Sequence, residues 1–487
     1  MNRTLHYIFG FIGTVILFSY CSINQSEPDL VKGTYWKDQV IQDILPYWTE
    51  NARDTLNGGF FTTLDSAWNP IGDTRKYPSM LSRHLFGYSV GYLLSGDEKY
   101  LSIARETLTF LLTHAWDQEY GGWYDVLDEK GNPLKTTKSM FIQVYSITGL
   151  TMYYFVTRDK SVLSYIEKSN DLIESKAWDP DSGGYYHNLT RDWQVLDSTK
   201  SISSEITPVS GYLLYLYLAT REKKYLDQCK RILETVQSRM IDPETGWVLE
   251  SFNRNWSYIP RAQDSTEISI GHTIEVAWMF YRLFEISGIE SYRKCADSLT
   301  NRICTFGNAP EVSFWYNTVG RKDPQLHSDK TYWWVQAYGN MFDLYSYHSS
   351  GQGKYLDHFR KGAAFWKDYF IDKKWGDTQF SVRVSGEVTE SLKANQYKAS
   401  YHTAENGMLN YFYLNAWVTG EPIELYFKLT DYESDIPFYP IPIEGDALRI
   451  KQVIADPEIQ YSLTEDQQGI KSGLIKNGMF RVVLQRR

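Results

Sequence analysis

Cysteine is scarce in this sequence: four in 487 residues, at Cys21, Cys229, Cys295 and Cys304. None of the spacings is that of a zinc site, and the three beyond Cys21 cannot all pair with one another. They read as small core side chains, with a Cys295–Cys304 bridge open outside the cytoplasm. There is also no basic run. The formal net charge is -9, so the electrostatic footprint of a nucleic-acid binder is absent, and the mild acidity singles out no partner. His-x-x-x-His pairs, an Asp-rich calcium loop and a Gly-rich phosphate cradle are all missing, so neither a metal nor a nucleotide cofactor is expected. No long apolar run follows the N-terminus. The stretch YIFGFIGTVILFSY, ending at Tyr20, has the length of a signal-peptide core and is too short for a transmembrane helix.

Aromatics are plentiful: 38 Tyr and 16 Trp stand in a chain that is 43% hydrophobic and 22% charged. Rings with a polar tip suit surfaces that are half apolar and half wet, as sugars are. Residues 1–20 read as a signal peptide and 21–34 as a tether. Phe18-Ser19-Tyr20-Cys21 resembles a loose bacterial lipobox with Cys21 as the lipidated residue, which implies a periplasmic or surface lipoprotein anchored to a bacterial membrane, the outer one foremost. A plain signal anchor is the alternative.

A repeat organises residues 35–420. Gly58-Gly59-Phe60, Gly121-Gly122-Trp123-Tyr124-Asp125, Gly183-Gly184-Tyr185-Tyr186 and Gly246-Trp247 recur about 62 residues apart, and a period of that kind marks stacked supersecondary units. A weaker echo stands at Trp375-Gly376-Asp377, leaving a missing unit near Phe314 to Asp323. Between the motifs lie pairs of amphipathic helical patterns, such as Leu81 to Leu94 followed by Tyr100 to Leu112, with Gly96-Asp97 as the break. Six such hairpins predict a mainly α protein closed into an α/α barrel, because an open solenoid needs polar end caps. Each glycine motif should raise a short β-hairpin on one face. Residues 421–487 lose helical periodicity and alternate polar with apolar residues, which predicts a small β-rich appendage.

Three segments carry candidate chemistry. GHTIEVAW (271–278) puts His272, Glu275 and Trp278 near one helix face, KTYWWVQA (330–337) opens another helix, and Tyr401-His402 begins a third. With Arg83-His84 and the GGWYD hairpin, they resemble the N-acylglucosamine 2-epimerase and cellobiose 2-epimerase superfamily over residues 35–418. The resemblance implies a six-hairpin barrel in which His272 and His402 exchange protons with the carbon beside a sugar carbonyl, and Glu275 steadies His272. Histidine suits the task because its unperturbed pKa lies near neutrality. Trp278, Trp333, Trp334, Gln336, Arg83, Trp123 and Tyr124 then become substrate-binding candidates, and His187, following a glycine motif, could reach the cavity.

Three departures stand beside the matches. Ser204 to Pro208 replaces a family Asn and His, Tyr338 stands where Glu is common, and Thr403 to Asn406 lacks an expected Arg. Together with export, they favour a dehydratase or lyase acting on uronate-containing oligosaccharides, with Tyr338 as an acid and Arg83, Arg261 or Lys330 holding the carboxylate. Sugar 2-epimerisation or isomerisation is the alternative. A glycan-binding surface lipoprotein without catalysis is a third reading. Hydrolysis by two carboxylates among Asp125, Glu205, Asp264, Glu267 and Glu275 ranks lower, since no spacing singles out a pair.

Overall fold

The computed structural model describes residues 29–260, 267–429, 436–455, 461–471 and 478–487. The leader, Cys21 with its expected lipid, and Arg261 lie outside the described residues. Among those residues no helix is long and apolar enough to cross a membrane.

The chain runs as alternating inner and outer helices. The inner ones are Pro78–Ser95, Met140–Thr157, a broken helix from Ile202–Pro208 to Leu214–Thr220, Ile270–Ser287, Trp333–Ser350 and Tyr401–Tyr413. They are apolar nearly all round and buried on every face, as helices walled in on both sides must be. The outer helices keep one apolar stripe. In Lys223–Thr235 the buried residues are Tyr225, Cys229, Ile232 and Leu233, a single helical face. Gly96 adopts φ 71° to end the first inner helix, and Asp97 caps the next by accepting from Lys99 N at 2.9 Å. The last inner helix packs against the first, so the ring closes. Six hairpins around a common axis are the predicted α/α barrel. Cys229, Cys295 and Cys304 are free thiols, and the Cys295–Cys304 bridge does not form.

The glycine motif has a complete structural account. Asp117 accepts from the backbone N–H groups of Glu119 and Tyr120 at 3.1 and 3.3 Å, which tightens the turn that Gly121 and Gly122 finish with φ 70° and 71°. A Cβ on Gly122 would lie 2.4 Å from the Trp193 indole of the next hairpin, so only glycine fits there. Buried Lys138 then donates to Asp117 at 3.1 Å from 21 residues further on. The same latch recurs as Lys76–Asp54, Lys200–Asp179 and Lys393–Asp372. Arg191 and Arg254 of the following hairpins add bonds of 2.9 and 2.8 Å to Asp117 and Asp179. Burial alone would raise the Asp117 carboxyl, but Arg191 and Lys138 outweigh it and hold it well below the usual carboxylate range.

The β-hairpins also knit neighbouring units together. Lys138–Ser139, which leads into one inner helix, pairs antiparallel with Asn188–Leu189 of the next hairpin, and Lys330–Tyr332 pairs with Ser381–Arg383. The missing fifth unit is present as Asn308–Ala309 paired with Phe314–Trp315.

Beyond the barrel, Ile423–Leu429, Leu448–Ala455 and Gly478–Arg486 form a three-stranded antiparallel sheet with the last strand in the middle. Strict alternation of burial along Ile423–Leu429 shows which face meets the barrel. Arg282, on the inner helix that carries His272, donates Nε and Nη2 to the Glu444 carboxylate at 2.9 Å each, and both side chains are fully buried. The sheet is therefore anchored to the barrel by a dry bidentate pair.

Candidate active site

The N-terminal turns of the inner helices converge on one cavity of about 180 Å³. Its lining follows a register. The second and sixth residues of Met140–Thr157 are Phe141 and Tyr145, those of Ile202–Pro208 are Ser203 and Thr207, and those of Trp333–Ser350 are Trp334 and Tyr338. Arg83 and Glu275 are the sixth residues of their helices, and His402 is the second of its own. Positions four apart share a helix face, and here that face points at the barrel axis. His272, third in Ile270–Ser287, joins them, with Ser269 Oγ capping the helix start by accepting from His272 N.

Both histidines lie against Trp334. The ring centroids lie 5.3 Å apart for His272–Trp334 and 6.3 Å apart for Trp334–His402. Their surroundings differ. His272 Nδ1 is hydrogen-bonded to the carboxylate of Glu250, on the preceding hairpin. His402 Nδ1 is buried with no hydrogen-bond partner among the described residues. Burial, and then the charge of Arg83, push the His402 imidazole well below its ordinary pKa, so it is neutral at physiological pH.

Arg83 is itself fixed, donating to the Tyr397 carbonyl at 3.2 Å with its guanidinium 3.7 Å from the Tyr145 ring centroid. Glu275 acts on His272 through its charge and not through a hydrogen bond. Its carboxylate accepts from Ser210 Oγ at 2.6 Å, while burial raises its pKa and the charge of His272 pulls it part of the way back. The carboxylate that orients His272 is Glu250, which sequence spacing alone could not reveal. The Tyr338 phenol, 5.3 Å from His402 between ring centroids, is raised well above its ordinary pKa by burial and remains a proton donor.

Seven predicted residues therefore meet in the cavity: His272, His402, Glu275, Tyr338, Arg83, Trp333 and Trp334. Six others do not line it. Trp123 is fully buried in the wall, its indole donating to Ser169 Oγ at 3.1 Å. Tyr124 belongs to the latch, beneath Lys138 Nζ at 5.0 Å and with its hydroxyl 3.4 Å from Arg191. Trp278 is buried one turn below the floor, against Tyr338. Lys330 turns outward to Glu390 at 3.8 Å. His187 bonds through its backbone to Met140 and Thr199 and stays outside the lining.

Gln336 is fourth in its helix, and that register faces the hairpin. It accepts from Trp315 N at 3.2 Å, as Gln143 does from Trp123 N at 2.9 Å and Glu205 from Tyr185 N at 2.6 Å. With Glu205 so engaged and Asp125 accepting from Ser139 N at 2.9 Å, Glu275 alone of the described carboxylate candidates lines the cavity. The opposed pair that hydrolysis requires is not found among the described residues. Phe141, Tyr145, Ser203, Thr207 and Tyr397 were missed, and the register of His402 and Glu275, applied to every inner helix, locates the first four.

A closed helical barrel whose inner helix ends bring two histidines, an arginine and aromatic rings into one small cavity has the make-up of an enzyme's active site. The chain belongs to the N-acylglucosamine 2-epimerase (GlcNAc 2-epimerase) family, whose sequence model matches residues 59–405. It is similar to the cellobiose 2-epimerase of Bacteroides fragilis, with 26% identity over 381 residues covering 74% of this chain and 93% of that one. The N-acylglucosamine 2-epimerase of Mus musculus is 24% identical over 386 residues, covering 75% and 89%. In fold it matches the cellobiose 2-epimerase of Bacillus thermoamylovorans B4167, with a TM-score of 0.70 at 22% identity over 78% of this chain and 98% of that one.

Proposed function

We propose that the protein is a sugar 2-epimerase acting on the reducing-end unit of an oligosaccharide, with His272 and His402 as its proton-transfer pair. The observation that carries this reading is the placement of one carboxylate-paired histidine and one neutral histidine across a single cavity.

Neutral His402 takes the proton from C2 of the open-chain aldose. The electrons of the C–H bond form the C1=C2 bond of an enediolate, and the carbonyl electrons move onto O1. Arg83 supplies positive charge for that oxygen. His272, held as a donor by Glu250, returns a proton to C2 from the opposite face while the carbonyl reforms, and solvent then restores both histidines. Tyr338 donates a hydrogen bond to a substrate oxygen, and Trp333 and Trp334 stack on the sugar.

The elimination chemistry expected from the sequence has less support. Of the described candidates for its carboxylate clamp, Arg83 lines the cavity and Lys330 does not. The named relatives are, moreover, epimerases.

Incubation with cellobiose in heavy water, followed by proton NMR, tests the assignment. Exchange at C2 with appearance of the 2-epimer is expected. An ultraviolet-absorbing enoate from uronate oligosaccharides, with no exchange at C2 of neutral sugars, would restore elimination. Export and lipidation at Cys21 are proposed on the sequence alone, and metabolic labelling with palmitate, lost in Cys21→Ser, tests them.

A further inference from the structure

The first hairpin breaks the repeat at one position. Trp116 and Trp178 stand where the chain enters the glycine turn, bridged to Trp123 and Tyr185, and Ile241 and Ile371 hold the same place opposite Val248 and Thr378; the residue bridged in the same way to Phe60 is Arg53. Trp116 packs edge-on to Trp123 and to Tyr165 of the outer helix Lys160–Leu172, both at 5.1 Å between centroids, and fills the space between hairpin and helix. Tyr165 is sixth in that helix, and the sixth residue of Glu98–Phe110 is Ile103. The first unit thus has neither the indole nor the phenol that face each other in the second. A cleft of about 480 Å³ opens there, lined by Arg53, Gly58, Gly59, Ile103, Phe110 and His114, among others. That volume is within the range of small-molecule sites.

The chemistry of the cleft is specific. Phe110 and His114 place two rings side by side, 4.5 Å between centroids and 32° apart. Arg53 and Glu106 form an ion pair at the mouth, with side chains 33% and 58% exposed. The buried Lys76–Asp54 pair beneath is already neutralised. The charges cancel, so the cleft has no attraction for an anion. A donor and an acceptor fixed side by side beside an apolar ring surface match the vicinal hydroxyls and the C–H face of a neutral pyranose.

We propose that this cleft is a second carbohydrate site, separate from the catalytic cavity, which binds a neutral pyranose unit of a glycan without transforming it. The proposal does not rest on the reaction assigned to His272 and His402, and its test keeps the two apart. The probe is methyl β-cellobioside, which has no free reducing end and cannot be epimerised. Hydrogen–deuterium exchange of the full chain, read by mass spectrometry with and without the probe, locates its binding.

Protection of peptides spanning 53–60 and 103–114 is expected. Arg53→Trp, which restores the indole found at Trp116 and Trp178, should abolish that protection and leave turnover of cellobiose unchanged. Glu106→Gln, at an exposed position, should weaken probe binding there at least ~10-fold, about 1.4 kcal/mol, and it serves if Arg53→Trp does not fold. Absence of protection in the wild-type chain at saturating probe, protection that survives in Arg53→Trp, or a probe concentration for half-maximal protection that Glu106→Gln leaves unchanged, would overturn the proposal. Loss of turnover in His402→Ala with cleft protection intact would confirm that the two sites are independent.

Discussion

The rim of hairpins and the cavity are built from the same helix ends, a few residues apart, and their polar groups are treated in opposite ways. On the rim the buried charge of Asp117 is answered by Lys138, Arg191 and two backbone N–H groups. In the cavity His402 Nδ1, Arg83 Nε and the Trp333 indole N–H are buried and lack hydrogen-bond partners among the described residues. Buried polar groups are normally paired. Unpaired ones that line a cavity can be completed by a ligand, whereas a saturated latch has nothing left to offer. Charge density alone would have chosen the rim.

Four experiments break or sharpen that contrast. The largest effect is expected at the cavity, where His402→Ala should lower kcat by ~10²- to 10⁴-fold with the melting temperature little changed. Next, Lys138→Ala on the rim leaves Asp117 buried without its lysine and should cost about 3–5 kcal/mol in denaturant unfolding, while the folded fraction keeps its KM. If Lys138→Ala abolished turnover at full stability, the division of labour would be wrong.

A moderate effect is expected from Glu250→Gln. Removing the carboxylate beside His272 should move one limb of the pH–rate profile by roughly one to three units toward acid. An unchanged profile would remove Glu250 from the mechanism. The smallest effect is assigned to Tyr124→Phe, which removes a long contact to Arg191 and should change stability by no more than about 0.5 kcal/mol, with normal turnover.

The wall behind the cavity adds a pH test of its own. His84 is fully buried, stacked on Phe60 at 4.0 Å and bonded to Ser400 Oγ at 3.2 Å, and burial lowers its pKa to about 3. A histidine whose folded pKa lies below its unfolded value is protonated preferentially in the unfolded chain, so stability falls as pH drops below about 6.5 and continues to fall toward the folded value. Thermal unfolding between neutrality and mild acid should show this slope, and His84→Phe should flatten it. An unaltered slope in His84→Phe would assign it to His402 and other groups.

The barrel was legible because its repeat is covalent: glycines at fixed spacing and helical periodicity are properties of neighbours in the chain. Both histidines were legible through motifs at helix starts. The role of Trp123 and Tyr124 was misread because an aromatic beside Gly-Gly looks the same whether it faces a cavity or a wall. Only the register of the adjoining helix, with Gln143 at its fourth position bonded to Trp123 N, decides between them. Glu250 was invisible for the opposite reason. It lies 22 residues from His272 on another element, and a long-range pair leaves no local signature.

Arg282 and Glu444 bear on how such a protein can be rearranged. Truncation after the barrel would strip the guanidinium on the helix that carries His272 of the carboxylate that pairs with it. The C-terminal sheet is therefore not a removable module, and a chimaera that exchanged it would need to bring its own carboxylate to the same point.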